Sequence, residues 1–202
     1  MKIGLILECG PDGADQAVCT IAARKLLGER TEIETATLGN KPALLRDCGA
    51  AADRLLNASE CERVLIVWDL YPAWRARREK PCRHEDREAI FQSLRNAGVR
   101  RASVSLICIQ EELEAWLLAD DRALQRVIND LVHPHAAGRV PRTAAPDAKP
   151  GPKTALNRLF QKLTHRPYVD RIHARLIANQ WIDWRRLEAS PTFCRFRDKL
   201  TG

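Results

Sequence analysis

The order of apolar and polar positions splits the chain into two stretches of different character. From Lys2 to Leu118, short apolar runs alternate with segments whose apolar residues recur every three to four positions. Lys2–Leu7 is a brief apolar run that ends against an acid, Glu8. Asp15–Leu27 carries apolar residues at 18, 21, 22, 26 and 27, the stripe of an amphipathic helix. Thr31–Thr37 alternates as a second strand would. Pro42–Leu56 predicts a helix, with Pro42 in the first turn, where its missing N–H costs nothing. Val64-Leu65-Ile66-Val67 makes Arg63–Trp68 the clearest buried strand. His84–Ala97 predicts another helix, Ala102–Ile109 a fourth strand, and Glu112–Leu118 the start of a further helix. Strands alternating with helices of this length imply βαβ crossovers and a parallel sheet.

Beyond residue 120 the strand pattern stops. Asp121–Val132 predicts a helix, and residues 133–152 hold five prolines and two glycines. A loop of about twenty residues is uncommon unless it is functional or mobile. Lys153–Leu163, Val169–Gln180, Trp181–Leu187 and Thr192–Leu200 then read as short helices. The expected organisation is an α/β core over 1–120 with a helical extension, 121–202, packed on it.

Composition narrows the class. With 202 residues, 45% hydrophobic and 29% charged, the chain has the makings of a core and is not globally disordered. No run approaches the ~18–20 apolar residues needed to span a bilayer, and the first apolar run is too short for a signal peptide. A cytoplasmic protein with no membrane partner is expected. Seven cysteines, an odd number with no Cys-x-x-Cys pair, argue against a zinc ribbon or a disulfide framework. Cys82-Arg83-His84 with Asp86 has no second Cys/His pair to complete a zinc site. No Gly-x-Ser-x-Gly elbow, Walker A or Gly-x-Gly-x-x-Gly occurs. The net charge is +7, which favours a polyanionic partner such as nucleic acid. That charge is uneven: residues 1–120 hold 17 Lys/Arg against 19 Asp/Glu, net −2, and residues 121–202 hold 16 against 7, net +9.

The candidate chemistry sits where strands end. In open parallel sheets, ligands bind beyond the carboxyl ends of the strands. Glu8 ends the first strand and is followed by a Gly/Pro-rich turn carrying Asp12 and Asp15. Helix capping accounts for Asp15 taken alone. Asp69 ends the third strand. Glu111, Glu112 and Glu114 lie at the junction after the fourth, where acids also gain from the helix dipole. Three acidic groups at one sheet edge would repel each other without a cation, and hard oxygen ligands suit Mg²⁺ or Mn²⁺. Such an ion can orient a phosphate and activate water. Arg75, Arg77, Arg78, Lys80 and Arg83, interleaved with Trp74, could grip a phosphate backbone and stack a base beside this edge. A solvated charged loop explains the same run in isolation. Trp181 and Trp184 in the tail read as packing residues.

Ile6-Leu7-Glu8, Val64-Leu65-Ile66-Val67-Trp68-Asp69 and Glu112-Leu113-Glu114-Ala115-Trp116-Leu117-Leu118-Ala119-Asp120 together resemble a Toprim-type domain. The chain most resembles an uncharacterised bacterial family of Toprim-like proteins. Pro152-Lys153 and Ser190-Pro191-Thr192-Phe193 extend the likeness over nearly the whole length. The resemblance implies a Rossmann-like parallel sheet flanked by helices, and an Mg²⁺-dependent site of the kind found in topoisomerases, primases and nucleases of the overcoming-lysogenisation-defect type. It assigns Glu8 as the first acid and Asp69 as the first member of an Asp-x-Asp pair. Tyr71 stands where the second Asp belongs. Glu112 or Glu114 would then supply the lost carboxylate, as extra acids do in the nuclease branch. That branch also implies an acid four residues after the first Glu, which falls on Asp12, with Asp15 as competitor. Its distal lysine falls on Lys153, with Lys149 as competitor. The implied activity is a metal-dependent nuclease acting on nucleic acid, in bacterial defence against phage and alongside a partner ATPase.

Two other classes compete. Tyr71 supports a catalytically degenerate adaptor that kept the fold and binds nucleic acid or a partner ATPase. A phospho-acceptor receiver also carries acids after its first and third strands, but it leaves the basic tail and the Glu-Leu-Glu-Ala-Trp segment unexplained.

Overall fold

The computed structural model describes residues 1–73, 80–132, 138–181 and 183–202. Its centre is a four-stranded, all-parallel sheet in the order β2-β1-β3-β4, built from β1 (Lys2–Leu7), β2 (Glu32–Thr37), β3 (Arg63–Asp69) and β4 (Val104–Ile109). Alternation along β1 divides the core in two, because successive side chains of a strand point to opposite faces. Ile3, Leu5 and Leu7 face one buried cluster and Ile6 faces the other.

On the Ile6 side lie α2 (Lys41–Asp53) and α3 (Arg83–Asn96), which bury Leu44, Cys48, Ile90 and Leu94 against the sheet. On the other side lies α1 (Ala14–Leu27), joined by α4 (Glu114–Ala119), α5 (Asp121–Leu131), α6 (Pro152–Thr164), α7 (Asp170–Asn179), α8 (Trp184–Leu187) and α9 (Pro191–Thr201). The tail helices share this core with the sheet: α7 and α9 pack on α1, and α9 also packs on β4. Trp116 of α4 is wholly buried, sits edge-on to Phe193 of α9 at 5.3 Å, and donates its indole N–H to Thr192 Oγ1 at 2.9 Å. Trp181 is buried too, and Trp184 stacks on Phe193 with an interplanar angle of 11°.

Three details depart from the sequence pattern. First, α2 starts at Lys41 rather than Pro42, capped by Asn40 Oδ1 on the Ala43 N–H, and runs into a π-helical turn at Arg54–Ala58. Second, α4 begins only at Glu114. Residues 110–113 are used up in a turn whose carbonyls accept from Ala115 and Trp116. Third, the described part of the proline-rich loop is an anchored strap. The Gln125 side chain accepts the Val140 N–H at 2.7 Å and donates to the Gly138 carbonyl. At its far end buried Asp147 accepts from Ser190 Oγ and the Thr192 N–H. Among the described residues, no helix is long and apolar enough to cross a membrane.

Candidate active site

The chain leaves β1 for β2 on one side, then returns to place β3 on the other. The crevice between the carboxyl ends of β1 and β3 is therefore the topological switch point, where open α/β sheets bind ligands. Leu7 pairs with Val67 in register, so Glu8 leaves β1 one residue short of the level of Asp69. The Asp69 N–H donates to Glu8 Oε2 at 3.2 Å.

A tight turn then swings α1 over this crevice. Gly13 donates its N–H to the Gly10 carbonyl, and a Cβ at Gly13 would sit 2.6 Å from that of Cys9, so no larger residue closes the turn. The result puts Asp15 in the first turn of α1, where the helix dipole favours a carboxylate. From the opposite side come Glu112, just after β4, and Glu114, the first residue of α4, only 4% exposed. Gly151, at a φ of 57° that favours glycine, turns the chain into α6. Lys153 is thereby placed with its N–H on Glu112 Oε2 at 3.1 Å and its ammonium on Asp170 Oδ2 at 2.5 Å.

These groups line two adjoining hollows. One, of about 450 Å³, is walled by Asp15, Asp69, Glu112, Glu114, Lys153 and Asp170. The other, of about 740 Å³, is walled by Glu8, Asp15, Asn40, Lys41 and Arg46. Cys9 and Asp15 belong to both, so the two form one cleft across the strand ends.

The electrostatics are unusual for surface acids. Burial pushes the Glu8 carboxyl up to about 8, partly offset by Lys41 and reinforced by Asp15. Burial raises Asp15 to about 6 despite Lys153. Glu114 rises to about 7 for the same reason, again with Lys153 opposing. Asp69 is raised well above the carboxylate range by burial, and then by the charges of Asp15, Glu8 and Glu114. Burial works against the charge of Lys153, but its hydrogen bond to Asp170 and the nearby acids win and raise it. The cleft thus holds more carboxylates than its own cations neutralise, and without a further cation they retain protons.

The carboxylates of the cleft are hard oxygen donors, of the kind that divalent ions such as Mg²⁺ favour. Among the described residues, no three His, Cys, Asp or Glu side chains converge on one point. An all-protein cage is therefore not what the cleft offers. Mg²⁺ commonly takes only one or two carboxylates and keeps several waters for exchange with substrate phosphate.

Glu8, Asp15, Asp69, Glu112, Glu114 and Lys153 are all brought together. Asp12 is not: it is exposed, sits at a φ of 58° and lines neither hollow, whereas Asp15 lines both. The turn that needs Gly13 carries Asp12 outward and α1 carries Asp15 inward. Lys149 lines a separate groove. Trp74, Arg75, Arg77 and Arg78 lie outside the described residues, as do His133 and His135. In the tail, Arg186 pairs with Asp121, and Arg197 pairs with Glu188 and Asp198.

Three cleft residues escaped the sequence reading. Tyr168 is buried and donates its hydroxyl to Glu114 Oε1 at 3.5 Å. Asp170, at the start of α7, reads as a helix-dipole residue and instead holds Lys153. Lys41 had a legible signal: a cation at a helix N-terminus opposes the dipole and calls for a local anion. It is 4% exposed, donates to the Leu70 and Pro72 carbonyls at 2.5 and 2.8 Å, and pairs with Asp86 at 3.7 Å. Asp86 is thereby committed, and it does not join Cys82 and His84 in any metal-ligand group among the described residues.

Fold and cleft together define an α/β protein with helices on both faces of a parallel sheet and a carboxylate-rich cleft at its switch point. The chain belongs to the family described as Domain of unknown function (DUF4276), which it matches over residues 12–201. That span takes in every cleft residue named above except Glu8 and Cys9. No curated protein matches the chain.

Proposed function

We propose that the chain is a Toprim-like, Mg²⁺-dependent phosphodiesterase acting on nucleic acid. The observation that carries this reading is the convergence of Glu8, Asp15, Asp69 and Glu114 with Lys153 in one cleft at the strand ends. In this reading Glu8, Asp69 and Glu114 are the carboxylates from which one or two would hold the metal, its other positions going to water and phosphate, with Asp15 in the role the resemblance gave to Asp12. The ion, when bound, supplies charge for the phosphate oxygens and lowers the pKa of a bound water. Lys153, fixed by Asp170, offers an ammonium to the phosphate as negative charge builds on it. Lys41 holds the two carbonyls that follow Asp69 and so fixes where that strand end leaves the sheet.

The test is cleavage of an oligonucleotide with Mg²⁺ or Mn²⁺. Wild type is expected to cut, and Glu8→Ala, Asp69→Asn and Lys153→Ala to lose activity by about 100-fold or more. Equal cleavage by wild type and Glu8→Ala would mark a contaminant and end the assignment.

A second reading, a degenerate adaptor, draws on two observations: Tyr71 is exposed where a second acid is expected, and no three-ligand group preexists among the described residues. It predicts no Mg²⁺ heat by calorimetry alongside salt-sensitive nucleic-acid or protein binding. Mg²⁺ binding that vanishes in Asp69→Asn rejects it.

A further inference from the structure

The anchored strap and α6 enclose a second hollow, of about 330 Å³, that the cleft chemistry does not use. Four cations reach into it: Arg139 and Lys149 from the strap, Arg158 and Lys162 from α6. Its floor is apolar, formed in part by Leu118, Leu159 and Leu163. No acidic residue lines it, and none of the four cations forms a salt bridge among the described residues. Arg186 and Arg197, elsewhere in the tail, are by contrast each paired with an acid. Four like charges held together without a counter-charge repel each other, and a multivalent anion relieves that repulsion.

The walls are held in advance. Gln125 fixes the strap at Gly138 and Val140, and Asp147 fixes it to Ser190 and Thr192. The groove residues of α6, from Ala155 to Leu163, lie on one side of the helix, and Lys153 lies on the other, facing the cleft. A helix with its side chains is about 10–12 Å across. Anion sites on its two sides are therefore a few nucleotides apart along one strand. Lys149, on the groove side, and Lys153, on the cleft side, are separated only by Pro150-Gly151-Pro152.

We propose that this groove is a phosphate-backbone site for a nucleic-acid strand whose scissile phosphate lies in the neighbouring cleft. The cations take the phosphates, and the apolar floor receives the sugar or base faces between them. The proposal rests on the reading of nucleic acid as the substrate, and names where on the chain that substrate is gripped.

The test is fluorescence anisotropy of a labelled single-stranded oligonucleotide in EDTA, titrated at several salt concentrations. In the triple variant Arg139→Ala/Arg158→Ala/Lys162→Ala, removal of three phosphate contacts should weaken binding by about tenfold or more. It should also make the log–log salt slope shallower by about 2. All three side chains belong to exposed residues, and an unchanged melting curve confirms that the variant folds. A control variant, Arg54→Ala/Arg95→Ala/Arg100→Ala, removes the same charge elsewhere and should keep the wild-type slope. An unchanged slope in the groove variant, or an equal loss in the control, overturns the proposal. So does competition by polyglutamate as effective as by unlabelled oligonucleotide, which would mark the groove as a site for an acidic protein segment. Groove-dependent binding without cleavage under Mg²⁺ or Mn²⁺ upholds the groove and rejects the phosphodiesterase reading. Cleavage of a small phosphodiester with no oligonucleotide binding rejects the groove alone.

Discussion

Two aspartates of the β3 neighbourhood, Asp69 and Asp86, are each held in low-dielectric surroundings and have opposite environments. Asp86 is 1% exposed, accepts the Trp68 indole N–H at 3.0 Å and lies 3.7 Å from the Lys41 ammonium. Burial still raises its carboxyl, but Lys41 and Trp68 both pull it back. Asp69, at the end of the strand that carries Trp68, has no cation among the charges that shift it; Asp15, Glu8 and Glu114 all push the same way. A buried acid with a partner is part of the framework. A buried acid among acids is tolerated at a cost in stability, and proteins keep such costs mainly where something else binds. The contrast separates partnered from unpartnered carboxylates more sharply than burial or strand position can.

The largest expected effect lies on the structural side. Asp86→Ala leaves the Lys41 ammonium buried without its carboxylate, and breaking a buried pair in this way costs roughly 3–5 kcal/mol. Chemical denaturation should show that loss with or without divalent ions. Asp69→Asn should do the reverse: the amide replaces a carboxyl that already favours its neutral form, so the metal-free protein should be as stable as wild type or more so. If both substitutions destabilise alike, the two aspartates play the same role and the distinction fails.

Metal response comes next. Mn²⁺ at about 100 times its Kd should stabilise wild type by about 2.7 kcal/mol, since the ion binds only the folded cleft. A thermal melt should register this as an upward shift. Asp69→Asn should lose the shift. A variant that preserves the Lys41–Asp86 pair but removes both Glu8 and Asp69 and still responds to Mn²⁺ would move the site elsewhere.

The pH dependence has a definite sign. Glu8, Glu114 and Asp15, at about 8, 7 and 6, lie above the unfolded carboxylate range, so from about pH 5 to 8 the native state holds protons that the unfolded chain has released. Stability then falls as pH rises through that window, because the unfolded state binds fewer protons. The metal-free protein should melt at a lower temperature at pH 8 than at pH 5. Divalent ions should close the gap, because they take the place of the protons. A melting temperature that rises over the same window would mean that the carboxylates are already paired.

Much of the architecture was legible because β1 and β3 are apolar runs with an acid at or just after the end, β4 is an alternating run followed by acids, and a parallel sheet fixes where such ends meet. The helices on both faces follow from the alternation of Ile3, Leu5 and Leu7 against Ile6. The choices left open in the sequence were all local. Asp12 and Asp15 lie on the same turn, and only the close contact of Gly13 with Cys9 decides which faces the crevice. Glu112 and Glu114 both reach the cleft because α4 starts two residues later than its pattern suggests, leaving Glu112 free to accept the Lys153 N–H. Asp170 and Tyr168 were hidden for a different reason: they arrive from the tail and meet partners well back along the chain, Asp170 on Lys153 17 residues away and Tyr168 on Glu114 54 residues away. No periodicity reports a contact of that range. Lys41 lies one residue before the pattern that begins at Pro42, so its signal is the misfit of a cation with the helix dipole and not a period.

The smallest expected effect tests that turn directly. Asp12 has a positive φ, which glycine adopts without strain, but it also gives an order to the loop that glycine would relax. The two contributions oppose each other, and Asp tolerates the left-handed region better than most residues. Asp12→Gly should therefore stay within about 0.5 kcal/mol of wild type. It should also leave the Mn²⁺ shift and the pH dependence intact, because Asp12 lines neither hollow. Asp15→Asn changes no more atoms, yet it removes a carboxylate that faces Asp69, Glu114 and Lys153 at once. It should flatten the pH dependence and reduce the Mn²⁺ shift. A weakened metal response in Asp12→Gly with a normal one in Asp15→Asn would reverse the assignment of the two acids, and with it the direction in which the Gly13 turn presents them.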